Sequence, residues 1–207
     1  MKCIINNSDV LLFNYQNHNY YGLSQLFYKK LWYRKAGCGP TTASNMIIYL
    51  ALTNPYFKQL FNNKLTYDNG LILMNEMYQY ITPTIMGVNN INIFGKGINK
   101  YLLVHEINNV SINNLDVTKI DSNNYDEIID YLVFNLSNNY PVAFLNLDNG
   151  KVINLDKWHW VLIIGIEYDE NNLFVMVVDD GLKKKIDLKL WLQTSNRNGG
   201  FVAINKR

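Results

Sequence analysis

The sequence predicts an α+β fold in which N-terminal helices pack on a C-terminal antiparallel sheet. Three observations carry this. Apolar residues recur at helical spacing in the first two thirds of the chain, as in Ala43, Met46, Ile47 and Leu50. Short runs rich in Val, Ile, Phe and Trp, separated by Asn- and Asp-containing turns, fill the last third. The length of 207 residues, with 48% hydrophobic content, suffices for a buried core without covalent staples. No internal repeat and no Pro- or Gly-rich linker interrupts the chain, so residues 1–207 read as a single domain.

Taken in order, residues 10–15 read as a short strand and 21–32 as a short helix. Gly37-Cys38-Gly39-Pro40 is a sharp break, after which 41–52 reads as a helix. Pro40 lacks an N–H, which a first helical turn leaves without an acceptor anyway. Asn54-Pro55 ends the helix. A second amphipathic helix covers 71–80 and stops near Pro83. Residues 87–97, with their glycines, read as loop, and 98–104 as a short helix or strand. Residues 125–136 form a third helix: Ile128, Ile129, Leu132 and Leu136 share a face, and Asp126 and Glu127 suit the positive end of the helix dipole. The remainder reads as a β-meander over 141–147, 158–167, 173–179 and 200–205. Asn171-Asn172 is its tight turn, and 188–192 is a short helix before the last strand.

Nineteen Lys and Arg against seventeen Asp and Glu leave a net charge of +2, too balanced for an electrostatic nucleic-acid binder. The one basic run, Lys183-Lys184-Lys185, reads as solvated surface. The abundant Asn reads as compositional bias. The longest apolar stretch, 158–166, falls short of the roughly 20 residues that a spanning helix needs. Lys2 is followed by Asn6, Asn7, Ser8 and Asp9 before any apolar block, unlike a secretory signal. The expectation is a cytoplasmic chain without membrane or nucleic-acid partners, and nothing in the sequence indicates an oligomeric state. A Cys3–Cys38 disulfide is poorly motivated in a reducing compartment. His18, His105 and His159 show no zinc-binding spacing, so neither metal nor organic cofactor is expected.

The most informative segment is Lys35-Ala-Gly-Cys38-Gly-Pro-Thr-Thr-Ala-Ser-Asn45. A cysteine at a helix mouth faces unpaired N–H groups and the positive dipole end, which favour the attacking thiolate. Gly37 and Gly39 are expected to leave the sulfur open to a substrate backbone. The Cys38 N–H would face a developing oxyanion. His159 opens the run Trp158-His-Trp-Val-Leu-Ile-Ile-Gly165, where a strand can hold a base at a cleft edge. Asp179 ends the next strand and is expected to hold the imidazole through Nδ1–H, with Asp180 its rival. Trp158 and Trp160 flank the histidine; each reads as core, with a substrate-groove floor as the alternative.

The order Cys, His 121 residues later and Asp 20 beyond resembles the papain-like superfamily. Gly-Cys-Gly-Pro-Thr at 37–41, Asn139-Tyr-Pro-Val142, His159-Trp-Val-Leu-Ile and Val178-Asp-Asp-Gly181 resemble the C39-like cysteine peptidases, relatives of the bacteriocin-processing, double-glycine leader peptidases. The resemblance implies a papain-like fold, with Cys38 as nucleophile, His159 as base and acid, and Asp179 as orienter. It also implies an upstream oxyanion Gln, for which Gln25 is the available residue, with Tyr33 or Trp32 as alternatives. The chain carries Asp179-Asp180 where the family usually has Asp-Pro, and it lacks the membrane and ATPase segments of the transporter-linked members. The function expected is a stand-alone cysteine hydrolase that cleaves peptide or other amide bonds through a thioester. An acyl transferase or amidase would use the same intermediate. A non-catalytic binding module on the same scaffold is the alternative of a different class.

Overall fold

A computed structural model of the chain describes residues 1–119, 125–196 and 199–207. Its centre is a 7-stranded antiparallel sheet. The middle strand is β6 (His159–Tyr168), buried without interruption from His159 to Ile166. A strand covered on both faces reads as a continuous apolar run rather than an alternation, which is why 158–166 is the longest such run in the chain. Along one side of β6, β5 (Val142–Asn146) pairs with its first half and β1 (Lys2–Ile4) with its second. Beyond β5 lie β9 (Gly199–Lys206) and then β4 (Val110–Asp116). The other side carries β7 (Leu173–Asp179) and β8 (Leu182–Asp187). A separate hairpin joins β2 (Leu12–Tyr15) to β3 (His18–Tyr21).

The helices are α1 (Leu31–Ala36), α2 (Cys38–Thr53), α3 (Tyr67–Tyr80), α4 (Ile91–Val104), α5 (Asp126–Ser137) and α6 (Leu188–Thr194). Every residue of α2 from Cys38 to Ala51 is buried, so this helix is the pillar of the N-terminal half. It is fastened directly to the sheet by the Thr42 hydroxyl, which donates to the Trp160 carbonyl at 3.0 Å. The Asn45 amide holds the Leu23 segment against it, accepting from Leu23 N–H at 2.7 Å and donating to its carbonyl at 3.3 Å. Helices packed on an antiparallel sheet in this order are the α+β, papain-like architecture. Among the described residues no helix is long and apolar enough to cross a membrane.

Several local expectations give way. The helix expected over 21–32 is instead the end of β3, a single 3-10 turn at Gln25–Phe27 and the start of α1. Aromatic side chains there serve a cluster, with Phe27 meeting Tyr20 and Tyr67 edge-on, rather than a helical face. Residues 87–97 are loop only as far as Asn90, and α4 then runs through Gly95 and Gly97. A side chain at Gly97 would collide with Ile81 and the Tyr80 carbonyl. Glycine costs the helix some stability but admits that close approach. Strands β1, β3, β4 and β8 lie outside the expected meander. The run Lys183-Lys184-Lys185 lies within β8, with Lys183 and Lys185 exposed as expected and Lys184 half-buried, and its side chains engage Tyr21, Asp179, Glu167 and Phe174.

Candidate active site

Cys38 is the first residue of α2, directly after α1 ends at Ala36 and Gly37. Gly37 and Gly39 do not open the sulfur to substrate as expected. A Cβ at Gly37 would strike the Tyr33 carbonyl and the Tyr28 ring, and one at Gly39 would press on Val88. The glycines let two helices and a loop close around the thiol's backbone. The side chain is buried, and its Sγ lies 4.0 Å from the Trp158 carbonyl. Both cysteines are free.

His159 reaches Cys38 because helix and strand are locked in register. Cys38 and Thr42 lie one turn apart on the same face of α2, and Thr42 grips the residue next to His159. The buried imidazole sets Nε2 2.6 Å from Asp179 Oδ1, which leaves Nδ1 to the side of Cys38, the other group that acts on the ring. The expectation that Asp179 would hold Nδ1 is therefore reversed: the carboxylate lies across the sheet from the ring's far nitrogen, and the near one faces the helix.

Asp179 reaches Nε2 through strand register. Leu162 pairs with Val178, so one step further sets Asp179 diagonally across from His159 on the same face. Asp180 falls in the β7–β8 turn with φ 46° and bonds a different segment. Its Oδ1 accepts from the Ser24 hydroxyl at 3.1 Å and the Gln25 N–H at 3.0 Å. The same register step on β8 brings Lys184 alongside Asp179, with Nζ 2.6 Å from Oδ2. His159, Asp179 and Lys184 thus form one row across three neighbouring strands.

The row perturbs its members. Burial disfavours the imidazolium, but hydrogen bonds to Asp179 and Cys38 and the negative charges beside it outweigh that, raising His159 from 6.5 to about 10. Burial likewise opposes the Asp179 charge, yet His159 and Lys184 together hold its carboxyl below the ordinary 3.8. His159, Asp179 and Asp180 each offer a ligand atom within 4.8 Å of the others. Those groups are already hydrogen-bonded: the imidazole to Asp179, Asp179 Oδ2 to the Lys184 ammonium, and Asp180 Oδ1 to Ser24 and Gln25.

Gln25 lies beside this row through its main chain, tied to Asp180, while its Oε1 is buried without a hydrogen-bond partner. Tyr33 is turned away into a stack on Tyr78, with centroids 3.6 Å apart. Trp32 lines the cavity that opens onto Cys38, a space of about 270 Å³ shared with Lys35, Ile85, Met86 and Trp158. The two tryptophans around His159 part company. Trp160 is core, stacked on Phe94 at 4.2 Å and donating to the Val88 carbonyl at 2.6 Å. Trp158, with φ 57°, stands half exposed at the cavity. His18 bonds the Gln16 carbonyl on the separate hairpin, and His105 pairs with Glu76 at 3.0 Å.

Sequence reasoning missed Lys184 and the 84–87 turn. For Lys184 a signal existed: Asp180-Gly181 is a two-residue hairpin turn, and counting back from it places residue 184 on the Asp179 face. The turn at 84–87 carries no such mark.

Comparison with curated proteins gives no match. The Peptidase C39 like family matches residues 10–197, which span β2 to the end of α6 and contain Cys38, His159, Asp179 and Lys184. With that match over most of its length, and with an α+β fold of papain-like type, the chain belongs to the C39-like peptidase family.

Proposed function

We propose that the chain is a cysteine peptidase in which Cys38 attacks, His159 shuttles the proton and Asp179 orients the imidazole. The observation that carries this reading is the row of His159, Asp179 and Lys184, hydrogen-bonded in turn, with Cys38 acting on the imidazole from a helix mouth beside an open cavity. With the proton held on His159 Nδ1, the sulfur adds to the scissile carbonyl carbon as the thiolate. The oxyanion is met by the Cys38 N–H, which belongs to a first helical turn and has no intrahelical acceptor. Gln25 is assigned as second donor, supported by its tether to Asp180. The imidazolium gives its proton to the leaving amine as the C–N bond breaks, leaving a thioester. Water then adds, losing its proton to His159, and the C–S bond breaks to release the carboxylic acid and restore the thiol.

The test compares the two thiols in one molecule. At about pH 6, where an unassisted thiol is almost fully protonated, iodoacetamide should alkylate Cys38 far faster than Cys3, whose thiol burial pushes up. His159→Ala should remove most of that advantage. Equal rates would count against catalysis and favour a binding module. Mass spectrometry of peptide products, with and without an added amine, then separates hydrolysis from acyl transfer. Gln25→Ala should slow turnover while sparing alkylation.

A further inference from the structure

We propose that the cavity beside Cys38 selects a peptide carrying a bulky apolar side chain next to a carboxylate. This rests on Cys38 being the nucleophile, and it concerns what is presented to that thiol. The cavity of about 270 Å³ has walls of Trp32, Ile85, Met86 and Trp158, and one charged lining residue, Lys35.

The apolar walls are held out in water. Ile85 is 92% exposed and Met86 54%. They form the tip of a turn closed by its own hydrogen bonds. Thr84 and Gly87 exchange backbone hydrogen bonds at 3.1 and 2.9 Å, and the Thr84 hydroxyl accepts from Met86 N–H at 3.1 Å. The next residue, Val88, is gripped through its carbonyl by the Trp160 indole. Trp158 faces the turn from a left-handed backbone conformation, half exposed. Side chains fixed in water around a concave space recover their hydration cost only when an apolar group enters.

The charge around the cavity is one-sided. From residue 10 to residue 67 the chain has six Lys and Arg and no Asp or Glu. Exposed Lys29, Lys30, Arg34 and Lys35 crowd the segment just before the nucleophile. Two of them are engaged: Lys30 sits over the Tyr33 ring at 4.9 Å, and Arg34 Nε donates to the Tyr28 carbonyl at 2.5 Å. Lys35 reaches the cavity and, among the described residues, makes no ion pair. A carboxylate next to the apolar group is the complement.

Peptidyl chloromethyl ketones test this directly, because Cys38 forms a C–S bond as the C–Cl bond breaks and chloride leaves. The set is Glu-Phe, Phe-Glu, Lys-Phe, Phe-Lys, Glu-Ala and Ala-Glu ketones, with Cys38 alkylation followed by intact mass. One order of Glu and Phe should react about tenfold faster than its Ala counterpart, as for burial of one large side chain. It should react about threefold faster than its Lys counterpart, as for one partly exposed charge pair. Lys35→Glu should reverse the Glu-over-Lys order, and Trp158→Ala should erase the Phe-over-Ala order. Equal rates across the set, or an unchanged Glu-over-Lys order in Lys35→Glu, overturn the selection while leaving a reactive Cys38 intact. A Cys38 inert to every ketone and to iodoacetamide overturns the reading of the thiol, and this selection with it.

Discussion

Two of the places where the sheet buries polar side chains are built on opposite plans. Toward β4, the Asn113 amide donates to Asn205, Asn205 donates to Asn135 at 2.8 Å, and the Tyr131 hydroxyl returns to the Asn113 carbonyl at 2.7 Å. Asn135 spends its own amide N–H on the Tyr131 carbonyl at 2.7 Å. This neutral circuit closes on itself and ties α5 to β4 and β9. Toward β8, the row of His159, Asp179 and Lys184 is charged, balanced by an ammonium at one end, and ends at a thiol rather than at a further partner of its own strands. Satisfied amides finish a core. A buried charged row depends instead on keeping every charge paired.

The sharpest way to break the contrast is His159→Ala. Peptide cleavage should fall about 10³-fold or more, since both proton transfers pass through that ring. An unchanged rate would place the two networks in the same structural class. Asp179→Asn should cost about 10²- to 10³-fold in turnover and move the alkaline limb of the pH–rate profile down toward 6.5, because it deletes the strongest interaction raising His159. Asn205→Leu is the control on the other network. Denaturant midpoints should report a loss of about 2 kcal/mol, with Asn113 and Asn135 left unpaired, while Cys38 alkylation stays as it was. The smallest effect belongs to Lys184→Met, about threefold in rate, since the ammonium is partly solvated. Its alkaline limb should move up, opposite to Asp179→Asn, because Asp179 would then act on the imidazolium undivided.

Stability should follow the same groups. Asp179 is depressed, so its contribution is present above 3.8 and fades as pH falls through its lowered value. His159 is raised, so its contribution is complete below 6.5 and fades as pH rises through its elevated value. Unfolding midpoints across pH should therefore show a plateau between these limits that His159→Ala removes.

Periodicity made α2, α3, α5 and the strands around His159 readable, because burial there is regular. It failed where residues answer to distant partners. Gly95 and Gly97 look like loop until Asn114 and Ile112 are seen against the first and Tyr80 and Ile81 against the second. The β2–β3 turn uses Gln16 and Asn17 at positive φ, without a glycine to announce it. Within the candidate site, residue type and order named Cys38, His159 and Asp179, yet nothing local says which ring nitrogen faces which partner. Lys184 hid inside a charge run whose members point to alternate faces of β8. Asp180 reads as turn chemistry or orienter with equal ease, and only its bonds to Ser24 and Gln25 show it clasping the far side of the cleft.

That clasp and the row beside it have a bearing on how the protein is made. About 120 residues separate the thiol from the imidazole, and the balancing lysine comes later still. Synthesis must therefore pass Lys184 before the sulfur meets the groups proposed to arm it, and a fragment released earlier would carry the cysteine helix without them.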